Sequence, residues 1–101
     1  MAISFEKLGE ITQCQGNLGQ SLQYYNEYNK LMKELYTSNP QNINLLENLG
    51  ISYYKLTIIY KAMWNDQVGR ANFAEWKKII LFLAEKFPQV SKYEQWKRVE
   101  Y

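Results

Sequence analysis

Histidine is absent from this chain of 101 residues, and Cys14 is its single cysteine. Together these exclude cysteine–histidine zinc sites, disulfide frameworks, serine–histidine triads and metal-bound imidazoles, so no cofactor is expected. Two prolines and five glycines leave no room for a low-complexity linker. The longest apolar run, Ile79 to Ala84, is six residues, far short of the roughly 20 needed to span a bilayer. The opening MAISFEKLGE carries Glu6 and Glu10 and no apolar core, so it does not read as a signal peptide. A soluble, cytoplasmic protein is the simplest expectation.

Charge of either sign is also scarce. The formal balance of +2 is too small to argue for nucleic acid, and a hydrophobic share of 47% against 22% charged describes a folded chain. The charge is unevenly placed. Residues 1–50 hold three basic and five acidic side chains (net −2), and residues 51–101 hold nine and five (net +4). The basic half is expected to be a solvated helix face, with an acidic partner or a phosphate backbone as the sharper alternative.

What the chain does have is an internal echo. ISFEKLGEIT at 3–12 returns as ISYYKLTIIY at 51–60, and LYTSNPQ at 35–41 returns in outline as LAEKFPQ at 83–89. Between residues 2 and 42, eleven positions meet the same residue 48 places on: Ile3, Ser4, Lys7, Leu8, Ile11, Asn17, Glu27, Lys30, Leu35, Pro40 and Gln41. At others the size is kept: Tyr25 becomes Phe73, Tyr28 becomes Trp76, Leu31 becomes Ile79. A fixed period of this length implies a solenoid whose units bury their apolar faces against their neighbours.

Every long segment carries helical periodicity and none alternates as a half-buried strand does. The first helix is expected over 2–14, with Phe5, Leu8, Ile11 and Thr12 on one stripe. Gly16-Asn17 is a turn in which glycine ends one helix in a left-handed conformation and asparagine caps the next. The second helix spans 18–38 and stops at Ser38-Asn39-Pro40. The third covers 41–63 and the fourth 66–86, closing at Phe87-Pro88. The last covers 89–100 and turns Val90, Tyr93 and Trp96 inward, with Trp96 as a plug. Two turns are open between helices three and four. The 48-residue register places one at 64–66 and puts Gly69 inside a helix, where a small residue lets two helices approach. A turn at Gly69 is the alternative.

These residues resemble a tetratricopeptide repeat. Phe5, Leu8, Gly9, Ser21, Tyr25 and Pro40 fit that helix–turn–helix pattern in one unit, and Tyr53, Leu56, Tyr60, Gly69, Phe73 and Pro88 in the next. The wording is similar to long bacterial arrays of such repeats. The 48-residue period departs from the family's usual 34, which implies longer helices. Tyr28 and Trp76 stand where alanine is usual, Thr57 where Gly9 stood, and Thr12 where an aromatic is usual. The resemblance implies one all-α domain over 1–101, a right-handed α-α superhelix of tetratricopeptide-like hairpins. A first hairpin would take 1–40, a second 41–88, and a C-terminal capping helix 89–101, about five helices in all. Ten residues, Gln41 to Gly50, precede the motif part of helix three, whereas helix one has only Met1 and Ala2. The chain is therefore expected to be the C-terminal end of a longer array, with self-association through, or fraying of, the open N-terminal face.

In that family the first helices of successive hairpins line a concave groove for peptides, and the function implied is a non-catalytic protein–protein interaction scaffold. The matching positions are Ile3, Glu6, Glu10 and Gln13 on helix one, and Ile51, Tyr54, Ile58 and Lys61 on helix three. Two glutamates, a tyrosine and an isoleucine do not suit the basic clamp with which some relatives hold a carboxylate. An apolar peptide with a basic end fits better, facing Glu6 and Glu10 and stacking on Tyr54 and Ile58. Equally, Tyr54 and Ile58 can pack against a neighbouring helix. Glu6 and Glu10, four apart on one helix face, suit paired acid–base work only if buried with separated pKa values. No phosphate-binding glycine loop accompanies them, and no catalysis is expected. The rival reading from another class is a basic-aromatic C-terminal patch: Trp96 with Lys92, Lys97 and Arg98, binding nucleic acid or an acidic partner.

Overall fold

Three asparagines set where the main helices begin. The side-chain oxygens of Asn17, Asn42 and Asn65 accept hydrogen bonds from the backbone N–H of Gln20, Leu45 and Val68, at 3.1, 3.2 and 3.4 Å, each satisfying a donor the helix itself leaves free. In the computed structural model, which describes residues 2–101 and side chains from Phe5 onward, five helices result. They are α1 (Ala2–Cys14), α2 (Leu18–Ser38), α3 (Ile43–Ala62), α4 (Asp66–Lys86) and α5 (Ser91–Lys97). Among the described residues there is no strand, and no helix is long and apolar enough to cross a membrane. The all-α fold expected from periodicity is the fold observed. Each helix packs on the next along the chain: α1 on α2, α2 on α3, α3 on α4, α4 on α5.

The 48-residue echo persists in atomic detail at the turns. After α1, the Gly16 N–H donates to the carbonyl of Gln13 at 3.0 Å and the Asn17 N–H to that of Thr12 at 2.9 Å. After α3, Trp64 donates to Lys61 at 3.1 Å and Asn65 to Tyr60 at 2.9 Å. Both are the paired bonds of a Schellman ending, which needs a left-handed residue. Gly16 supplies it at φ 79°, and Trp64, 48 places on, at φ 61°. The turn between α3 and α4 therefore lies at residues 63–65, and Gly69 is buried inside α4.

Three apolar clusters run through the stack. Tyr25 of α2 meets Leu56 and Ile59 of α3. Tyr28 and Met32 meet Leu49. Leu46, Trp76, Ile80, Leu83 and Tyr93 join α3, α4 and α5. The polar groups drawn inside are satisfied: buried Asn29 donates to Ser52 Oγ at 2.8 Å, and the Ser52 hydroxyl donates to the Leu49 carbonyl at 2.6 Å.

The final helix departs from expectation. It covers Ser91–Lys97, not 89–100. The residue at its N-cap, Val90, stands 48 places after Asn42 and offers no side-chain hydrogen bond, so the start that Asn42 gives α3 is missing here. Its buried side chain is Tyr93, while Trp96 is half-buried. The plug is the tyrosine, because its hydroxyl finds Glu47 Oε1 at 2.6 Å while its ring meets the core.

Candidate functional site

The eight residues singled out from sequence fall into two groups with different surroundings. On α1 the side chain of Ile3 lies outside the described residues. Glu6 is half-buried. Glu10 binds Lys55 of α3 at 2.9 Å and lies 3.8 Å from Lys7. The hydrogen bond from Lys55 is the main reason its carboxyl sits below the ordinary value. Gln13 accepts a hydrogen bond from the Tyr25 hydroxyl at 2.9 Å. At least two of these positions thus join α1 to α2 and α3, and Glu10, already paired, is not free to meet a basic peptide end.

The four positions on α3 are brought together, and what borders them is the end of the chain. Beyond α5 the backbone leaves the helix, and Val99, Glu100 and Tyr101 run along the edge between α3 and α4. Lys77 of α4 donates to the Val99 carbonyl, and Lys61 of α3 donates to the main-chain oxygen of Tyr101 at 2.6 Å. Val99 borders a cavity of about 200 Å³ whose walls are Ile51, Tyr54, Trp76 and Trp96. Tyr54 and Trp76 meet there with ring planes tilted by 39° and centres 4.7 Å apart.

Tyr101 occupies a more closely specified place. Its ring meets Phe73 edge-on at 5.8 Å, with the Arg70 guanidinium 4.4 Å and the Lys61 ammonium 4.7 Å from its centre. Its hydroxyl donates to Asp66 Oδ1 at 2.8 Å. Lost hydration and then the Asp66 carboxylate raise that phenol above its ordinary pKa. Gly69 leaves the space: a Cβ built on it would stand 2.6 Å from the Tyr101 hydroxyl. The small residue that periodicity placed inside α4 therefore admits a tyrosine side chain, not a second helix.

Asp66, Arg70, Phe73, Lys77 and the 99–101 segment were not legible as a site in the sequence. The one signal was glycine at a helical position, which marks a close approach without saying of what. The C-terminal cations are largely engaged. Lys92 binds Glu47 at 3.0 Å, and Lys97 binds Glu94 at 3.0 Å, while Lys92 also lies 5.5 Å from the ring centres of Tyr93 and Trp96.

The N-terminal face shows the opposite condition. Leu8 and Ile11 are 39% and 53% exposed, whereas Leu56 and Ile59, the same residues 48 places on, are 3% and 0% exposed. The residue types are identical; the second pair lies beneath α2, and among the described residues no helix covers the first. Exposed Cys14 ends the same helix.

Fold and site together define a class: successively packed helical hairpins with an apolar, cation-rimmed cleft at one edge. Compared with protein-family models, curated proteins and solved structures, the chain finds no match in any of the three.

Proposed function

We propose that this chain is a non-catalytic protein–protein interaction scaffold of the tetratricopeptide type, working in the cytoplasm and binding a partner segment along the α3 edge formed by Ile51, Tyr54, Ile58 and Lys61. The observation that carries the reading is the seating of Val99–Tyr101 on that edge. A non-helical segment already lies there, its apolar side chain against aromatic walls and the main-chain oxygens of Val99 and Tyr101 held by Lys77 and Lys61. Lysine capture of main-chain oxygens is indifferent to sequence, and the side-chain pockets between supply selectivity. Panning a random peptide library on the protein, followed by amide NMR shifts with the selected peptides, tests this. Shifts at Ile51, Tyr54, Ile58 and Lys61 support it. Failure to select any peptide, or shifts confined to other helices, would remove it.

A second property of the scaffold is supported by the exposure of Leu8 and Ile11. A face whose 48-residue counterpart is fully covered is one that a further helix can cover, so self-association through α1 belongs to the same proposal. The basic-aromatic alternative is the weaker reading, because Lys92 and Lys97, two of its three cations, already pair with glutamates within the chain. A nucleic-acid ligand would show binding that weakens steeply with salt.

A further inference from the structure

The segment seated in the α3–α4 cleft also specifies what the cleft selects. Two of its three side chains are recognised. Tyr101 is read at both ends of its ring: Asp66 accepts the hydroxyl's hydrogen bond, Arg70 and Lys61 approach the ring, and Gly69 leaves the space beneath the hydroxyl. A phenylalanine there would leave Asp66 without its donor, and a bulkier ring would meet the α4 backbone. Glu100, between them, is exposed. Beside Val99 a half-open apolar depression of about 200 Å³ remains, lined by Ile51, Tyr54, Trp76, Trp96 and Val99 itself. Its apolar walls are partly open to water, and a longer side chain at position 99 would cover more of them.

We infer that the cleft is a receptor for an extended segment of the form large apolar residue, any residue, tyrosine, and that residues 99–101 are a weaker ligand of the same form held in cis. This rests on the interaction-scaffold reading above and names the partner that reading leaves open. A partner carrying leucine, methionine or phenylalanine at the first position displaces the tail. Because the cleft is filled from within, its apparent affinity for any such partner is reduced by the fraction of time it stands empty. The tail therefore sets a threshold that only the better-fitting segment passes.

The test uses a fluorescent, C-terminally amidated peptide of residues 97–101 carrying the substitution Val99→Leu, with the unsubstituted peptide beside it. On the full chain bearing Val99→Ser and Tyr101→Ala, checked for intact helical circular dichroism, the leucine peptide is expected to bind saturably. It should bind about fourfold tighter than the valine peptide, the value of one further buried methylene, and about tenfold or more tighter than to the unaltered chain. Adding Gly69→Ala should weaken binding about tenfold, as a methyl group enters the hydroxyl's place. If the double variant does not fold, the unaltered chain decides: excess leucine peptide should move the Tyr101 ring resonances to free-tyrosine positions.

Equal binding to both proteins, no preference for leucine, or unmoved Tyr101 resonances would overturn the inference. Library peptides that bind the α3 edge without a shared apolar–x–tyrosine pattern would overturn it too while leaving the scaffold reading intact. A library yielding no α3-edge binder would remove both.

Discussion

Replacing Trp64 with glycine should make the protein more stable, although it deletes the largest side chain in the turn. Trp64 sits at φ 61° as the left-handed residue of the Schellman ending after α3, the place Gly16 fills at φ 79° after α1. A residue with a Cβ is disfavoured in that conformation by about 1–2 kcal/mol. Glycine removes the strain but loses more freedom on folding, an opposing effect of about 0.5–1 kcal/mol. The difference favours Trp64→Gly by about 0.5–1 kcal/mol. Little is lost in exchange, since the indole is 91% exposed. For a domain of this size that corresponds to a Tm higher by about 3–6 °C. Trp64→Ala is the control: it removes the same ring and keeps the Cβ, so it should stay within about 0.5 kcal/mol of the parent. Urea unfolding followed by circular dichroism at one temperature compares all three proteins. If alanine stabilises as much as glycine, or glycine destabilises, backbone strain at Trp64 is refuted and the indole itself is responsible.

Further outcomes follow from the same geometry. Ser52→Ala should cost about 1–3 kcal/mol in denaturant unfolding, since it strands the buried Asn29 amide; an unchanged midpoint would mean that water reaches that amide. Ile11→Glu should alter stability by no more than about 0.5 kcal/mol but abolish concentration-dependent sedimentation, whereas a parent chain that stays monomeric at high concentration would refute association through α1. Burial, then the hydrogen bond to Glu47, pushes the Tyr93 phenol from 10.0 up to about 12. Its raised folded pKa contributes stability that is whole below pH 10.0 and is lost as pH climbs towards 12; Tyr93→Phe should flatten that alkaline decline, and an unchanged slope would show the group titrating normally. Glu10 shifts the other way: its lowered pKa stabilises above the ordinary carboxylate range and the effect fades on acidification. The pair is partly exposed, so Glu10→Gln should cost no more than about 1 kcal/mol near neutrality, and a larger loss would show a buried role.

Local chemistry determined the helices before any tertiary contact was considered. Asn17 and Asn65, Gly16, and the Pro40 and Pro88 stops each act on backbone groups a few residues away, so a reader of the chain places the first four helices within a residue or two of where they lie. The 48-residue echo likewise determined that the two turns share one hydrogen-bond pattern. It did not determine burial. Leu8 and Leu56, or Ile11 and Ile59, are indistinguishable as letters and opposite in exposure, because burial belongs to what covers a residue, and α2 covers the second pair. The end of α5 escaped the pattern for a related reason: Val90 replaces a capping asparagine, and the last residues follow the cleft instead of the helix. Their path is held by Asp66, Arg70, Lys61 and Lys77, all more than twenty residues away in sequence, and such long-range contacts exist only once α3 and α4 have come together.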